Sequence, residues 1–238
     1  PRATDFLDIF PGNIPVNVVP EVPHLPIRLA AMGWEDRPAS DAELDVMKEL
    51  VQEWLDAGAV AFNTGLDYQP TAFADTRELI ELSKVTAAAG AIYAAHIRYN
   101  IIGREAAWRE TFDISQQAGI PVHISHETVD DVSRSLLDEA AGTIDVTFES
   151  YMYPAGCTHL AMTLPTWAQA GGTDGVMARL EDPKIRQELT EFLQESLTTG
   201  EGRPGKLTIA ANQSGSHIGR TLAEVADEQG LPMGEAAM

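Results

Sequence analysis

Two histidines, His96 and His126, each close a short apolar run that begins after a glycine. The runs are Gly90-Ala-Ile-Tyr-Ala-Ala-His96 and Gly119-Ile-Pro-Val-His-Ile-Ser-His126. Runs of this kind, each preceded by a long helical pattern, are typical of buried parallel strands. The two histidines are about one strand-helix repeat apart, so neighbouring strands would bring both imidazoles to the same rim. Neutral imidazole suits zinc, and the pattern is that of two ligands of one metal ion.

A structural interpretation of the same residues stays open, because a single histidine at a strand end is usually just a hydrogen-bonded residue. A catalytic zinc ion needs three protein ligands and an open position for water. The sequence contains no His-x-His, and no third ligand can be assigned from it. Cys157 qualifies by element type alone. The residues therefore indicate at most half of a metal site.

Strand alternation separates His126 from its neighbour His123. Residues two apart on a strand share a face, so His126 is expected to lie with Ile124 and His123 to point the other way. We therefore expect His123 to pack against a helix and to take no part in metal binding.

Further candidates lie just after the predicted strands. Tyr68 and Tyr151 are placed to orient a substrate at a pocket mouth, although such rings equally often pack against neighbours. Arg98 is a candidate for pairing either with a substrate carboxylate or with Glu127. Glu127 itself is expected to point away from the metal face.

The elements that must position these residues follow from periodicity. Ser40 and Glu43 form a capping-box pattern that opens a helix, and Asp75 opens the next one. From residue 40 to residue 150, helices and strands alternate, which predicts a parallel sheet with helices outside. A first candidate strand lies at Ile14–Val19. The other predicted strands are residues 59–62, the two runs that end at His96 and His126, residues 143–148 and residues 206–211.

The predicted fold is α/β, part of a TIM-type (β/α)8 barrel. We expect one partial barrel domain over residues 1–238, with an irregular segment at 1–39 and a long rim loop at 149–181. The sequence has no Gly-x-Gly-x-x-Gly turn after its first predicted strand, as a dinucleotide-binding fold would require, and it contains neither a Walker-type phosphate loop nor a Gly-x-Ser-x-Gly elbow. Repeats with histidines at the rim favour the barrel over an open sheet.

Composition narrows the class of protein further. The 238 residues carry a formal charge of −20 with only 16 Lys and Arg, which argues against nucleic-acid binding. The sequence has no run of 18 apolar residues that would cross a membrane. A single cysteine fits a reducing, cytoplasmic compartment. Because the chain begins Pro1-Arg-Ala-Thr without Met, we expect it to be a fragment. The sequence does not indicate an oligomeric state.

An ordered set of motifs resembles the D-aminoacylase (N-acyl-D-amino-acid deacylase) family of the amidohydrolase superfamily. The resemblance extends from about residue 14 to the end of the chain, and the ordered set is more specific than any single motif. The motifs are Val16-Asn-Val, Met32-Gly33, Gly58-Ala59, Asn63-Thr-Gly-Leu-Asp-Tyr-Gln-Pro70, the two runs that end at Arg98 and His126, Tyr151-Met-Tyr-Pro-Ala-Gly-Cys-Thr158, Asn212-Gln-Ser-Gly-Ser216 and Gly219-Arg-Thr-Leu222.

The resemblance implies a zinc-dependent barrel enzyme that hydrolyses a linear amide C–N bond of a small molecule. His96 and His126 match the two strand-tip metal ligands, and Tyr68 and Tyr151 match positions that line the substrate pocket. The family's early His-x-His and bridging cysteine would lie before residue 1, and its catalytic aspartate would lie beyond Met238. The chain alone is therefore expected to be a poor catalyst.

The chain departs from the family at three places. Thr128 stands where a lysine is frequent, Cys157 stands where a serine is frequent, and Tyr99-Asn100 replaces the acidic residue that usually follows His-x-Arg. The first two family positions help to hold the substrate carboxylate, so the identity of the substrate stays open. One alternative is a cyclic-amide hydrolase of the hydantoinase or dihydroorotase kind, although Lys84 is predicted mid-helix and cannot bridge two metals. Another is a barrel that has lost its activity.

Overall fold

The computed structural model describes residues 2–12, 14–152, 155–199 and 207–238. They form two compact units, Pro1–Ala155 and Gly156–Met238. The expectation of a single domain over residues 1–238 stays a prediction. No described helix is both long and apolar enough to cross a membrane.

The first unit contains a parallel sheet whose five strands neighbour one another in chain order. A doubly wound sheet would reverse its strand order at one point, whereas a (β/α)8 barrel adds each strand beside the last. The fold is therefore an α/β barrel of the TIM type with five strands described, as predicted. The strands are β1 (Val22–Pro23), β2 (Ala61–Gly65), β3 (Ile92–His96), β4 (Val122–Ile124) and β5 (Val146–Phe148).

Helices lie between consecutive strands from β1 to β5, and further helices lie before β1 and after β5. In the first unit they are α1 (Ala3–Leu7), α2 (His24–Met32), α3 (Asp41–Asp56), α4 (Thr76–Ala88), α5 (Tyr99–Ile102), α6 (Arg104–Ala118) and α7 (Asp131–Ala140). In the second unit they are α8 (Gly172–Glu181), α9 (Pro183–Thr199), α10 (Leu222–Gln229) and α11 (Met233–Ala236).

The predicted helix starts are confirmed by their capping bonds. Ser40 and Glu43 form the reciprocal capping box at the start of α3, and the Asp75 side chain accepts a hydrogen bond from the Glu78 amide at the start of α4. These bonds satisfy backbone donors that have no partner within the first helical turn.

The strand register defines the two faces of the sheet. Val22, Phe62, Tyr93 and Val122 are paired in sequence across the sheet, and none is more than 2% exposed. They belong to the core that contains the buried helix residues. The opposite face carries the row Asn63, Ala94, His123 and Thr147. His96 lies two residues beyond Ala94 and therefore on this second face.

The segment 1–39 is less irregular than expected. It contains α1 and the nine-residue α2, which the sequence did not indicate because seven of the first 39 residues are prolines. Pro26 lies in the first turn of α2, where a helix needs no backbone N–H. The strand expected at Ile14–Val19 is wrong, and the first strand is β1. Val16 and Val19 are 68% and 64% exposed, so the apolar side chains that favoured a strand are not buried.

Two further expectations are corrected for the part of the chain that follows β5. The predicted rim loop at 149–181 contains α8 and two 3-10 turns, Leu160–Thr163 and Thr166–Gln169. The strand predicted at 206–211 is an isolated antiparallel bridge between Thr208 and Thr221, and Lys206 lies outside the described residues. An antiparallel neighbour close in sequence takes the backbone groups that a barrel strand would share with the sheet.

Candidate active site

His96 is the last residue of β3 and lies at the carboxyl edge of the sheet. Its side chain is largely buried, and its Nδ1 faces Nε2 of His126, with ring centroids 4.7 Å apart. The structure thus brings together the two histidines that the sequence paired. Each ring directs one nitrogen at the other and leaves its second nitrogen to the surrounding protein.

His126 reaches this position by a route that strand alternation did not predict. β4 ends at Ile124, and His126 follows in a turn with a φ of +44°. Such a left-handed backbone is uncommon for a residue with a side chain and turns it out of the strand's alternating pattern. His126 therefore meets His96, although Ile124 faces the core.

The expectation for His123 is corrected by the register. His123 pairs with Ala94 and lies on the same face of the sheet as His96, not against a helix. Its Nδ1 is 2.8 Å from Thr147 Oγ1, and its Nε2 contacts the Glu149 carboxylate. These bonds direct the ring along the sheet towards the end of β5.

Two glutamates fix the turn that carries His126. Glu149, the residue after β5, accepts a hydrogen bond from the His126 amide over 2.8 Å. Glu127 is 8% exposed and accepts hydrogen bonds from the Trp108 indole at 2.6 Å and from the Thr128 amide at 2.7 Å. Arg104 pairs with Glu127 at 2.6 Å. Glu127 therefore points away from the histidine pair, as expected.

Electrostatics favours the neutral form of His126. Burial, and then the neighbouring His96, lowers the pKa of His126 below its ordinary value. Burial alone would raise the pKa of Glu149, but hydrogen bonds from the His126 amide and the His123 ring outweigh it and lower that pKa. The site thus combines an unprotonated imidazole with an ionised carboxylate, and unprotonated imidazole is the form that binds metals.

Asp67 and Asn100 belong to the site, although the sequence indicated neither of them as a site residue. Asp67 follows β2 and is 4% exposed, with Oδ2 3.0 Å from Nε2 of His96. Asn100 donates from Nδ2 to the same oxygen over 2.6 Å. The sequence could have indicated Asp67 as a site residue, because it lies just past a strand end beside Tyr68. Glu149 could have been indicated in the same way, because it directly follows β5.

Three tyrosines surround the histidine pair. The rings of Tyr68 and Tyr99 lie 5.0 and 5.3 Å from the His96 ring, and Tyr151 stacks on His126 at 5.3 Å. Burial, and then the charge of Asp67, raises the pKa of Tyr68, so its phenol keeps its proton at neutral pH. Gly65 makes room for this ring, because a Cβ there would lie 2.9 Å from Tyr68 Cδ2. Tyr68 and Tyr151 were predicted; Tyr99 was not.

Arg98 has a different partner from the two that the sequence suggested. Its Nε lies 2.8 Å from the Glu110 carboxylate, and its Nη1 donates to the Ala74 carbonyl over 2.9 Å. The side chain is buried against α6, while Glu127 pairs with Arg104. These contacts give Arg98 a structural role and leave its guanidinium engaged within the protein, so the expectation that it binds the substrate is corrected.

Thr128 and Cys157 stay predictions as substrate-binding residues. Thr128 is exposed two residues after His126, and Arg104 holds its carbonyl. Cys157 is exposed and belongs to the second unit. Within the described parts of the chain, no three His, Cys, Asp or Glu side chains are arranged to hold a metal ion. The donor type therefore suits zinc, but the described donors are too few.

Comparison with known proteins gives this site its context. The chain is 35% identical over 185 residues to a D-aminoacylase and 37% identical over 193 residues to an N-acyl-D-aspartate deacylase, both from Alcaligenes xylosoxydans xylosoxydans. These matches cover 71% and 69% of the chain. The chain spans only 38% of the length of each relative. No profile of a known protein family matches it.

Solved structures agree with the curated relatives. The N-acyl-D-glutamate deacylase of Bordetella bronchiseptica, complexed with zinc and a phosphonate inhibitor, superposes with a TM-score of 0.75 at 26% identity. A D-aminoacylase described as defining a novel subset of amidohydrolases superposes with a TM-score of 0.71 at 25% identity. Each match covers 99% of this chain and 44% of the other. On these matches, the chain belongs to the D-aminoacylase (N-acyl-D-amino-acid deacylase) family of amidohydrolases.

Proposed function

We propose that the protein is a zinc-dependent amidohydrolase that cleaves the linear amide bond of an N-acyl-D-amino acid. The observation that carries this proposal is the pairing of His96 Nδ1 with His126 Nε2 at the ends of adjacent strands. It occurs in a chain 35% identical to a D-aminoacylase. A D-aminoacylase of similar fold has a binuclear metal centre that one metal activates.

The donor chemistry fits zinc in type. His126 is held in its neutral form, and the two nitrogens that face each other are those that a shared ion would bind. A third ligand has to come from residues other than those described. When bound, the ion would polarise the amide carbonyl and make water a better nucleophile at neutral pH. The aspartate expected to move the proton is proposed to lie beyond Met238.

The residues of this chain would form one wall of the substrate pocket. Tyr68, with its proton retained, is placed to donate a hydrogen bond beside His96, and Tyr151 offers a flat face over His126. Thr128 is proposed to contact the substrate through its hydroxyl, and Cys157 is proposed as a substrate-binding residue on the family resemblance alone. Because Thr128 is uncharged at a position where the family frequently has lysine, the carboxylate of the substrate needs a cation from elsewhere in the protein.

The test uses the full-length protein, purified without added metal. We expect bound zinc and hydrolysis of at least one member of a panel of N-acetyl-D-amino acids that includes D-aspartate and D-glutamate. The N-acetyl-L-amino acids should be poor substrates. His96→Ala and His126→Ala should each lose zinc and activity, while His159→Ala, an exposed residue, should keep both. A protein that holds no zinc, and whose activity is unchanged in the two variants, contradicts the proposal.

The cyclic-amide alternative is disfavoured by one observation. Lys84 lies in α4, and its Nζ pairs with Glu81 at 2.8 Å on an exposed helix face. In the described part of the chain no strand carries a lysine that could bridge two metal ions. Turnover of a hydantoin but of no N-acyl-D-amino acid would favour this alternative. Absence of both activities would favour a non-catalytic barrel.

Residues 1–238 expressed alone should be inactive. A cytoplasmic location of the protein stays a prediction.

A further inference from the structure

Asp67 is a buried carboxylate that the function proposed above does not use. It lies two residues after β2, in the loop that also carries Tyr68. Its two oxygens are fully engaged by residues of the next strand and helix. Oδ2 lies 3.0 Å from His96 Nε2 and accepts from Asn100 Nδ2 over 2.6 Å, and Oδ1 accepts from the Asn100 amide over 3.2 Å. A carboxylate with three such contacts cannot rotate freely.

The backbone reinforces this arrangement. The Leu66 amide donates to the His96 carbonyl over 2.9 Å, which extends the pairing of β2 with β3 past the strand ends. Asp67 is thereby held directly beside His96, on the side of the ring opposite to His126. With Asp67 only 4% exposed, water does not compete effectively for its oxygens.

We propose that Asp67 is a positioning residue that keeps the proton of His96 on Nε2 and so presents the unprotonated Nδ1 to the metal ion. This inference rests on the proposed function. A neutral imidazole has one N–H, and an ionised carboxylate accepts hydrogen bonds only. The N–H is therefore fixed towards Asp67, and the lone pair of Nδ1 is directed towards His126 and the shared ion.

Asn100 holds Asp67 in this orientation, because it donates hydrogen bonds to both oxygens of the carboxylate. An acidic side chain at position 100 would instead place a second negative charge against Asp67. The amide at position 100 and the carboxylate at position 67 thus depend on each other. This gives a physical reason for the asparagine in a segment where the family usually has an acidic residue.

The test is Asp67→Asn in the full-length protein, with Asp113→Asn as the matched control. Asp113 lies on α6 and bonds only Gln117 among the described residues, over 2.8 Å. An asparagine at position 67 can donate to Nε2 and so permits the other tautomer. We expect Zn²⁺ affinity, measured by competition with a chromogenic chelator, to fall about 10- to 100-fold. The control should stay within about twofold of the parent, as expected for an exposed site away from the ligands.

A second measurement does not depend on metal. Nitrogen-15 NMR of histidine-labelled, metal-free protein, with His96→Gln for assignment, should show His96 protonated on Nε2 in the parent. In Asp67→Asn the signal should shift towards the other tautomer. A residue that only supported the fold would leave the tautomer unchanged. An unchanged tautomer together with unchanged Zn²⁺ affinity overturns the proposal.

A third variant covers the case in which Asp67→Asn does not fold. Asn100→Ala keeps the carboxylate and the backbone amide that donates to Oδ1 but removes the Nδ2 donor to Oδ2, and should weaken Zn²⁺ binding by a smaller factor while Asp113→Asn does not. Equal affinity in Asn100→Ala and the parent would then overturn the proposal. If the parent protein binds no Zn²⁺ at all, the proposed function fails, and the tautomer of His96 still reports separately whether Asp67 orients the ring.

Discussion

The amide of His126 donates to the carboxylate of Glu149 over 2.8 Å, across the gap between the ends of β4 and β5. The Glu127 amide returns a bond to the Glu149 carbonyl, also over 2.8 Å, and the Ser150 hydroxyl donates to the Glu127 carbonyl over 2.7 Å. Together these bonds hold His126 at a φ of +44°, a conformation that costs a non-glycine residue about 1–2 kcal/mol. The end of β5 therefore sets the direction of the His126 ring.

This backbone strain can be measured by comparing two replacements of the same residue. Both His126→Gly and His126→Ala remove the imidazole, but only glycine adopts a left-handed backbone without steric cost. We expect His126→Gly to be more stable than His126→Ala by about 1 kcal/mol in urea unfolding.

The control pair for this comparison is His123→Gly and His123→Ala. His123 lies inside β4, where the greater conformational freedom of glycine in the unfolded chain should make the glycine variant less stable by about 0.5–1 kcal/mol. The order of stability should thus reverse between positions 123 and 126. Finding alanine more stable at both positions would show that His126 carries no left-handed strain.

Arg98 is expected to contribute to stability. Arg98→Met leaves the Glu110 carboxylate, whose side chain is only 12% exposed, without its cation. Loss of one partner of a buried pair costs about 3–5 kcal/mol, and chemical denaturation should show a decrease of that order.

Arg109→Met is the matched control for Arg98. Arg109 also pairs with a glutamate at 2.8 Å, Glu139, but its side chain is 48% exposed. Exposed pairs contribute little to stability, so this variant should unfold almost as the parent does. Similar losses in the two variants would mean that burial of the Arg98 pair is not what matters.

Much of the fold was predictable because the relevant signals are local. Capping residues and apolar periodicity lie within a few residues of the elements they determine, and α3 and α4 begin at the predicted capping residues. Helix α2 was missed because its proline and short length resemble a loop. The bridge at Thr208 was missed because a strand pattern does not reveal which neighbour a strand will have.

The site was predictable only in part, since its decisive contacts are distant in sequence. His96 could be placed because β3 continues to it. His126 could not be oriented, because its turn depends on Glu149, 23 residues further on. The role of Asp67 likewise depends on a hydrogen bond from Asn100, which is 33 residues away in the sequence. A short strand pattern therefore predicts which residues reach the rim, but not how they turn there.

Trp108 supports the turn after β4 through its indole N–H, and this contribution can be separated from packing. Trp108→Phe removes the 2.6 Å bond to Glu127. Trp54→Phe removes a similarly buried indole that has no hydrogen-bond partner among the described residues. Hydrogen bonds to charged groups contribute about 1.5–3 kcal/mol, so Trp108→Phe should be the less stable variant by that order. Equal losses in thermal or urea unfolding would assign Trp108 a packing role alone.

The buried cluster of His24, Arg28 and Glu78 should make stability depend on pH. His24 Nε2 lies 2.7 Å from Glu78 Oε1, and Arg28 contacts the other oxygen. Burial lowers the pKa of His24 below 6.5, although Glu78 opposes this. Burial alone would raise the pKa of Glu78, but His24 and Arg28 outweigh it and lower that pKa below 4.5.

Both pKa values are lower in the folded state, so the unfolded chain binds more protons as the pH falls. Stability due to His24 should be fully present above pH 6.5 and decline below it, and that due to Glu78 should decline below pH 4.5. One extra proton changes the free energy of unfolding by at most about 1.4 kcal/mol per pH unit. Urea unfolding at pH 7.5 and 5.5 should therefore show a smaller loss in His24→Gln than in the parent, because glutamine still donates to Glu78 but does not titrate. The control His159→Gln, at an exposed position, should keep the pH dependence of the parent. If His24→Gln showed the same pH dependence as this control, His24 would not be the source of the loss of stability.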